Sequence, residues 1–201
     1  MPTRRKRPTA ASTPPAIIRP IDASRLKTYP LQRRHSKVQV SNFAKVWTKG
    51  RSFARFLDSL PDILAVKTLR EVAQAIAKAH RNGRPVIVGM GAHVVKVGLG
   101  PLLVDLMERG IVTALAMNGA VIIHDFELAF MGHTSEEVDA EIDSGRFGMA
   151  EETGRMLNEA ITLGMKEGQG LGESLGSYIH RRKQLFPHRA TSLLATGFRL
   201  G

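Results

Sequence analysis

The chain has 201 residues, 43% of them apolar, no cysteine, and a formal net charge of +11. That length supports one domain with a real core. The lack of cysteine excludes disulfides, cysteine-ligated zinc and a thiol nucleophile, and it fits a reducing, cytoplasmic setting. No apolar run reaches the roughly 18 residues of a membrane-spanning helix, and the basic N-terminus lacks the apolar core of a secretory signal, so we expect neither.

The charge is unevenly spread. Residues 1–51 hold thirteen Lys or Arg against one acid, Asp22, a net of +12, whereas residues 52–201 are close to neutral at −1. Met1–Pro15 is rich in Arg, Pro, Thr and Ser and cannot bury a core, so residues 1–16 read as a disordered basic arm. Such an arm can meet nucleic acid, but a solvated extension is the commoner outcome of this composition, and we do not expect a nucleic-acid partner.

Residues 17–66 read as an extension with one short helix. Lys37–Val40 alternates like a small edge strand. Phe43, Val46, Trp47, Phe53, Phe56 and Leu57 supply much of the aromatic content, and Ser52–Leu60 has helical spacing up to Pro61. We read these aromatics as packing anchors rather than as a base-stacking platform.

Thr68–Asn82 predicts an amphipathic helix. Thr68 and Glu71 have the spacing of a capping box, Leu69, Val72, Ala73, Ile76 and Ala77 form its apolar stripe, and Asn82-Gly83 ends it. Pro85–Val88 then predicts a strand, with Gly89, Gly91 and Gly98 marking the turn and the next helix start. Leu102, Leu103, Leu106 and Met107 lie at helical spacing, and Gly110 stops that helix. Ile111–Met117 is a second apolar run, ending in Asn118-Gly119-Ala120. Two such strands joined by one helix predict a βαβ unit with a parallel pair buried on both faces. In open α/β sheets ligands sit beyond the carboxyl ends of the strands, here Gly89–His93 and Asn118–Asp125.

Thr134 and Glu137 form a second capping box, opening a short acidic helix to about Ile142. Ala150–Glu167 predicts a long helix with Met156, Leu157, Ala160, Ile161 and Met165 on one side. Leu171–Leu185 predicts another, ended by Pro187, and Thr191–Leu200 one more. The fold class is therefore α/β, with residues 67–201 as a partial Rossmann-like domain. Only two core strands are visible, fewer than a stable sheet usually has. We expect either the front part of a longer α/β domain or a sheet completed by a partner chain.

The motifs are suggestive rather than complete. Gly89-Met90-Gly91 opens like a dinucleotide fingerprint, but position 94 is Val94, and Asn118 stands where an acid belongs. His124 and Asp125 are the candidate catalytic pair, because imidazole titrates near neutrality, and His124 shares a helical face with Glu127. His93, His124, His133 and Asp125 match no strong metal spacing, and we expect no metal. Nucleophile elbow, P-loop and kinase signatures are missing from the sequence.

Six stretches carry a resemblance: KTYPLQRRHSKVQV, FLDSLPDILAVKTLREV, GMGAHVVKVGLGPLLVDLMERG, AMNGAVIIHDFELA, GRFGMAEETG and PHRATSLLATGFRLG. Together they resemble the bacterial branch of the deoxyhypusine synthase family over roughly residues 20–201. The resemblance implies a Rossmann-like NAD-binding fold in homotetramers with active sites shared between subunits. It implies NAD-dependent oxidation of spermidine and transfer of the aminobutyl group, through an enzyme-lysine imine, to a lysine of an eIF5A-like protein, or in some relatives to a small amine to give homospermidine. Cofactor contacts then fall on Gly91, His93 and Lys96 in one loop and on Asn118, Gly119 and Ala120 in the other. The family's paired substrate glutamates fall on Ile123 and His124, Asp125 matches an acidic position beside them, and Val121 stands where the family favours Gly. Val40–Leu60 resembles a segment that lies across a neighbouring subunit's site. The family continues past this point into strands bearing the catalytic lysine, so the chain reads as a truncated or split member, active as an enzyme or serving as a subunit.

Overall fold

A computed structural model describes residues 20–201. The expected disordered arm, residues 1–16, lies outside the described residues. From residue 20 the chain runs through three single 3-10 turns, Ala23–Arg25, Leu31–Arg33 and Val40–Asn42, before its first helix. The edge strand expected at Lys37–Val40 is not formed. Asn42 Oδ1 instead accepts from the Gln39 backbone N–H at 3.0 Å, a local bond that competes with strand pairing.

Helix α1 (Phe53–Ser59) is capped by Ser52, whose Oγ accepts from the Arg55 N–H. Helix α2 (Leu64–Arg81) begins four residues before the expected start, with Ile63 as a cap that makes no side-chain bond. Thr68 is therefore inside the helix, and its hydroxyl bonds back to the Leu64 carbonyl; the Thr68–Glu71 capping box is not formed. The end is as expected, with Asn82 as C-cap and Gly83 at φ +61°. No residue of α1 or α2 is buried: in the stripe expected to be covered, Leu69 and Val72 are 54% and 51% exposed, Ala73 is exposed, and Ile76 and Ala77 are only half-buried.

Strand β1 (Ile87–Met90) sits two residues later than expected, because Gly89 and Met90 are in the strand rather than the turn. A single helical turn, α3 (His93–Lys96), and helix α4 (Gly100–Glu108) lead to strand β2 (Ala114–Met117). The two strands pair in parallel, Ile87 with Ala114 through Met90 with Met117, which is the predicted βαβ unit. They are not buried on both faces: along each strand exposed and half-buried residues alternate, leaving Ile87, Gly89, Ala114 and Ala116 open. A sheet face is buried only where something packs on it, and α2 does not.

The rest is helical: α5 (Gly119–Met131), α6 (Val138–Glu141), α7 (Glu151–Lys166), α8 (Leu171–Arg181) and α9 (Leu193–Leu200). Of the expected α7 stripe, Met156 and Ala160 are buried, whereas Met165 is 73% exposed and Gly164 takes the covered position instead. A Cβ at Gly164 would fall 1.8 Å from Ser174 Oγ of α8, and one at Gly176 would fall 2.4 Å from the Leu194 carbonyl of α9. These two glycines let α7, α8 and α9 close on each other. Helix α8 is shorter than expected because the chain leaves it to insert Phe186, which is fully buried against Phe126, Phe130 and Tyr178 with ring centroids 5.2–6.0 Å away. One core cluster joins α5, α7, α8 and α9 around Phe126, Leu175 and Ile179. A second joins α3, α4, α5 and α9 around Val95, Leu103, Val121 and Leu193, with Met90, Leu115 and Met117 of the sheet packed against it. No helix among the described residues is long and apolar enough to cross a membrane.

Candidate functional site

The register places the two predicted loops side by side. Met90 pairs with Met117, so Gly91 and Asn118 leave the sheet from neighbouring positions at its carboxyl end. Gly91, His93 and Lys96 on one loop, and Asn118, Gly119 and Ala120 on the other, are all exposed. A Cβ placed on Gly89, Gly91 or Gly119 would meet nothing within 4 Å. The protein's own packing does not require these glycines, and the backbone there borders open space.

Asn118 has a second role. It is the N-cap of α5, its Oδ1 accepting from the Val121 N–H at 3.2 Å. Its amide NH₂ is left as a donor, beside the positive end of a 13-residue helix. The expected acid of a dinucleotide fingerprint is thus replaced by a cap.

His124 and Asp125 are neighbours in sequence, yet the structure separates their side chains. Asp125 is 2% exposed and points into the core. Its Oδ2 accepts from Ser192 Oγ at 2.6 Å and from the Leu194 N–H at 3.2 Å, and its Oδ1 accepts from the Leu193 N–H at 2.8 Å. Burial raises its pKa above the ordinary carboxylate value, against the pull of those three donors. Asp125 caps α9 from α5. It is structural, and the expected catalytic pairing with His124 is not made.

His124 keeps other company. Its Nδ1 lies 2.6 Å from Thr134 Oγ1, and Thr134 donates to Glu127 Oε2. Thr153 of α7 donates to the other oxygen, Oε1, at 3.0 Å. Thr134 was expected to cap α6, but that helix starts later, with Glu137 as cap and no side-chain bond. The loop from His133 to Glu137 passes through Ser135 at φ +73° and turns the Thr134 hydroxyl towards α5 instead. The 124/127 spacing was readable in the sequence; the arrival of Thr134 and Thr153 was not. Desolvation holds the His124 pKa below the usual imidazole value; Glu127 opposes this shift and the Lys96 ammonium adds to it.

Two clefts border these elements. The larger, about 700 Å³, runs along β2 and α9 between Met107, Leu115, Leu194 and Phe198, with Glu173 as its only charged lining residue. The smaller, about 370 Å³, adjoins the His124 cluster and gathers Glu127, Glu136 and Glu152 around Phe130 and Met131, with no Lys or Arg in its lining. Size favours the first, but converging polar groups mark a site better than volume does, and they are at the second. Carboxylates beside an aromatic face suit a cation. Among the described residues no three His, Asp or Glu side chains converge as a metal site; His93 stands alone at the start of α3.

No family model, no curated protein and no solved structure matches this chain.

Proposed function

We propose that the chain binds NAD over the carboxyl ends of β1 and β2 and acts on an amine, in the manner of a deoxyhypusine synthase: aminobutyl transfer from spermidine or another amine to a protein lysine, or to a small amine as in homospermidine formation. One observation carries this reading most. An acidic cleft of the size of a small ligand lies beside the half-buried His124, on the helix that Asn118 and the open Gly119 begin. In place of the carboxylates that the resemblance expected at positions 123 and 124, the cleft offers Glu127 one turn on in α5, Glu136 from the following loop and Glu152 from α7.

The loops fit a dinucleotide. Gly91 and Gly119 leave room for close backbone approach, the N-terminus of α5 and Lys96 suit the pyrophosphate, and the Asn118 amide donates. NAD, when bound, supplies a hydride acceptor. The chain's residues bind and orient: Glu136 and Glu152 hold ammonium groups, Phe130 covers the methylene chain, and His124 faces the reacting amine.

Assembly into a homo-oligomer, a tetramer by resemblance, belongs to the same reading. Trp47, Phe53, Phe56, Leu69, Val72 and Ile87 form apolar surface that a single copy leaves exposed. The same surface favours a second reading, a non-catalytic subunit whose role is to assemble.

Titrating NAD against thermal stability tests the proposal. At about 100 times its dissociation constant NAD should stabilise the fold by about 2.7 kcal/mol. Asn118→Asp keeps the cap, since Asp caps as well as Asn, but sets a negative charge beside the pyrophosphate. It should lose the NAD shift with unchanged intrinsic stability. An NAD shift that survives this variant refutes the placement. A well-folded protein with no NAD shift, and of defined oligomeric size, supports the subunit reading.

A further inference from the structure

We propose that Glu127 and Thr134 lock the His124 ring with its proton on Nδ1, leaving Nε2 as the acceptor of a proton from the substrate's ammonium group. The substrate half of this inference rests on the amine reading above; the tautomer half rests on geometry alone.

A threonine hydroxyl has one proton, and an ionised carboxylate has none to give. Thr134 spends its proton on Glu127 Oε2. The 2.6 Å contact between Thr134 Oγ1 and His124 Nδ1 then needs a proton from the ring, so Nδ1 carries N–H. The chain of donation has one direction: His124 to Thr134 to Glu127. It cannot run directly, because His124 Nδ1 and Glu127 Oε2 are 3.8 Å apart, too far for a hydrogen bond. Thr153 holds the second carboxylate oxygen from α7 and stops Glu127 from turning away.

In a neutral imidazole with Nδ1 protonated, Nε2 bears a lone pair. No protein group among the described residues bonds to Nε2. The His124 and Glu127 side chains are 19% and 21% exposed, shielded yet reachable. The groups facing the ring are Glu127 on its own helix, Lys96 on α3, and the Thr134 hydroxyl from the loop. Desolvation lowers the ring's pKa, Glu127 opposes that shift and Lys96 adds to it, so the environment favours the neutral ring that has a lone pair to offer.

The step is a proton transfer. One N–H bond of the substrate ammonium breaks, its electron pair stays on the amine nitrogen, and the proton forms a bond to Nε2. The products are a neutral amine and an imidazolium; the amine's freed lone pair would assist hydride transfer from the adjacent carbon to the nicotinamide that NAD would supply when bound. The new positive charge stays on the ring, where the Nδ1–H bond to Thr134 and the Glu127 carboxylate 3.8 Å away stabilise it. A carboxylate that orients a histidine serves proton transfer in the same way in acyl-transfer triads. Here a hydroxyl stands between the two. His124 is the catalytic residue of this step, and Thr134 and Glu127 are positioning residues.

The test reads the tautomer first. Histidine labelled with ¹⁵N and ¹³C in the full chain gives ring nitrogen shifts, and His124 is assigned by its loss in His124→Gln. Wild type should show His124 with the proton on Nδ1. Thr134→Val should move it to the Nε2–H form, and Thr134→Ser should restore it. A wild-type His124 protonated on Nε2, or a tautomer unchanged by Thr134→Val, overturns the lock. If Thr134→Val does not fold, the wild-type tautomer and the same comparison in Thr134→Ala decide. The second reading adds spermidine and NAD. Spermidine should shift the His124 Nε2 resonance in wild type, and Thr134→Val should lower kcat about 100-fold, with KM little changed and Thr134→Ser recovering it. A locked Nδ1–H ring with no response to spermidine or to short diamines overturns the substrate half and the amine reading with it. Amine turnover by a protein whose His124 is not locked overturns the lock and leaves that reading standing.

Discussion

Helices α2 and α8 make an instructive pair. The first has 18 residues and an apolar stripe of Leu69, Val72, Ala73, Ile76 and Ala77, and none of its residues is buried. The second has 11 residues, six of them buried in an unbroken run, Ser174 to Ile179, two of which are serines and one a glycine. Apolar content does not explain the difference. Helix α8 is buried because neighbours reach it: α7 through Gly164 and α9 through Gly176, positions where a Cβ would collide. Helix α2 has no such neighbours and is tied to the body through contacts such as His80 Nδ1 with the Gly110 carbonyl, 3.1 Å apart. The same division runs through the molecule. No residue from position 20 to Val94 is buried, and every core residue comes at Val95 or later.

Substitutions can break this comparison, and the largest effect should come from the body. Asp125→Ala removes the acceptor of two buried N–H groups, Leu193 and Leu194, and frees the Ser192 hydroxyl. At about 2 kcal/mol for each stranded donor, the loss is about 4 kcal/mol, read as a lower urea midpoint. Survival of the midpoint would show that α9 does not depend on its cap from α5.

Next come the glycines. Gly164→Ala forces the Ser174 side chain or the helix to move and should cost about 2 kcal/mol. Gly154→Ala on the same helix meets nothing within 4 Å and should stabilise by about 0.5 kcal/mol through helix propensity alone. Opposite signs on one helix would show that close approach, not helix content, governs α7.

The pH response is smaller and has a defined sign. The fold lowers the His124 pKa, so the unfolded chain takes up this proton first as pH falls. The contribution of His124 to stability is complete above pH of about 6.5, its unfolded value, and is lost as pH drops below it towards the folded value. Stability of wild type relative to His124→Gln should be flat above that pH and decline below it. A relative stability that rises on acidification would contradict the desolvated ring.

The smallest effect should come from α2. Leu69→Ser with Val72→Ser should change the unfolding free energy of an isolated copy by less than about 0.5 kcal/mol, because neither side chain is covered there. Light scattering on the same variant sharpens the point. If copies of the chain cover this stripe in solution, the variant should shift to a smaller assembly while the body keeps its midpoint.

Much of the site was legible from local pattern. Asn118 and the glycines marked the two loops, and the spacing of His124 and Glu127 put both on one face of α5. Asp125 was misread because its acid character says nothing of direction: on α5 it points inward, to partners 67 to 69 residues away. Thr134 was misread for a related reason. A capping box needs its threonine beside the helix it opens, and the turn at Ser135 directs that hydroxyl elsewhere.

The sequence by itself determined the βαβ unit, the order of the longer helices and many of their ends, since periodicity and stop glycines act within a few residues, although both expected capping boxes failed. Tertiary structure alone decided which apolar faces are covered, which carboxylate lies in the core, and that two threonines from separate segments meet Glu127. Those outcomes depend on what arrives from far along the chain, and no residue carries a record of its distant neighbours.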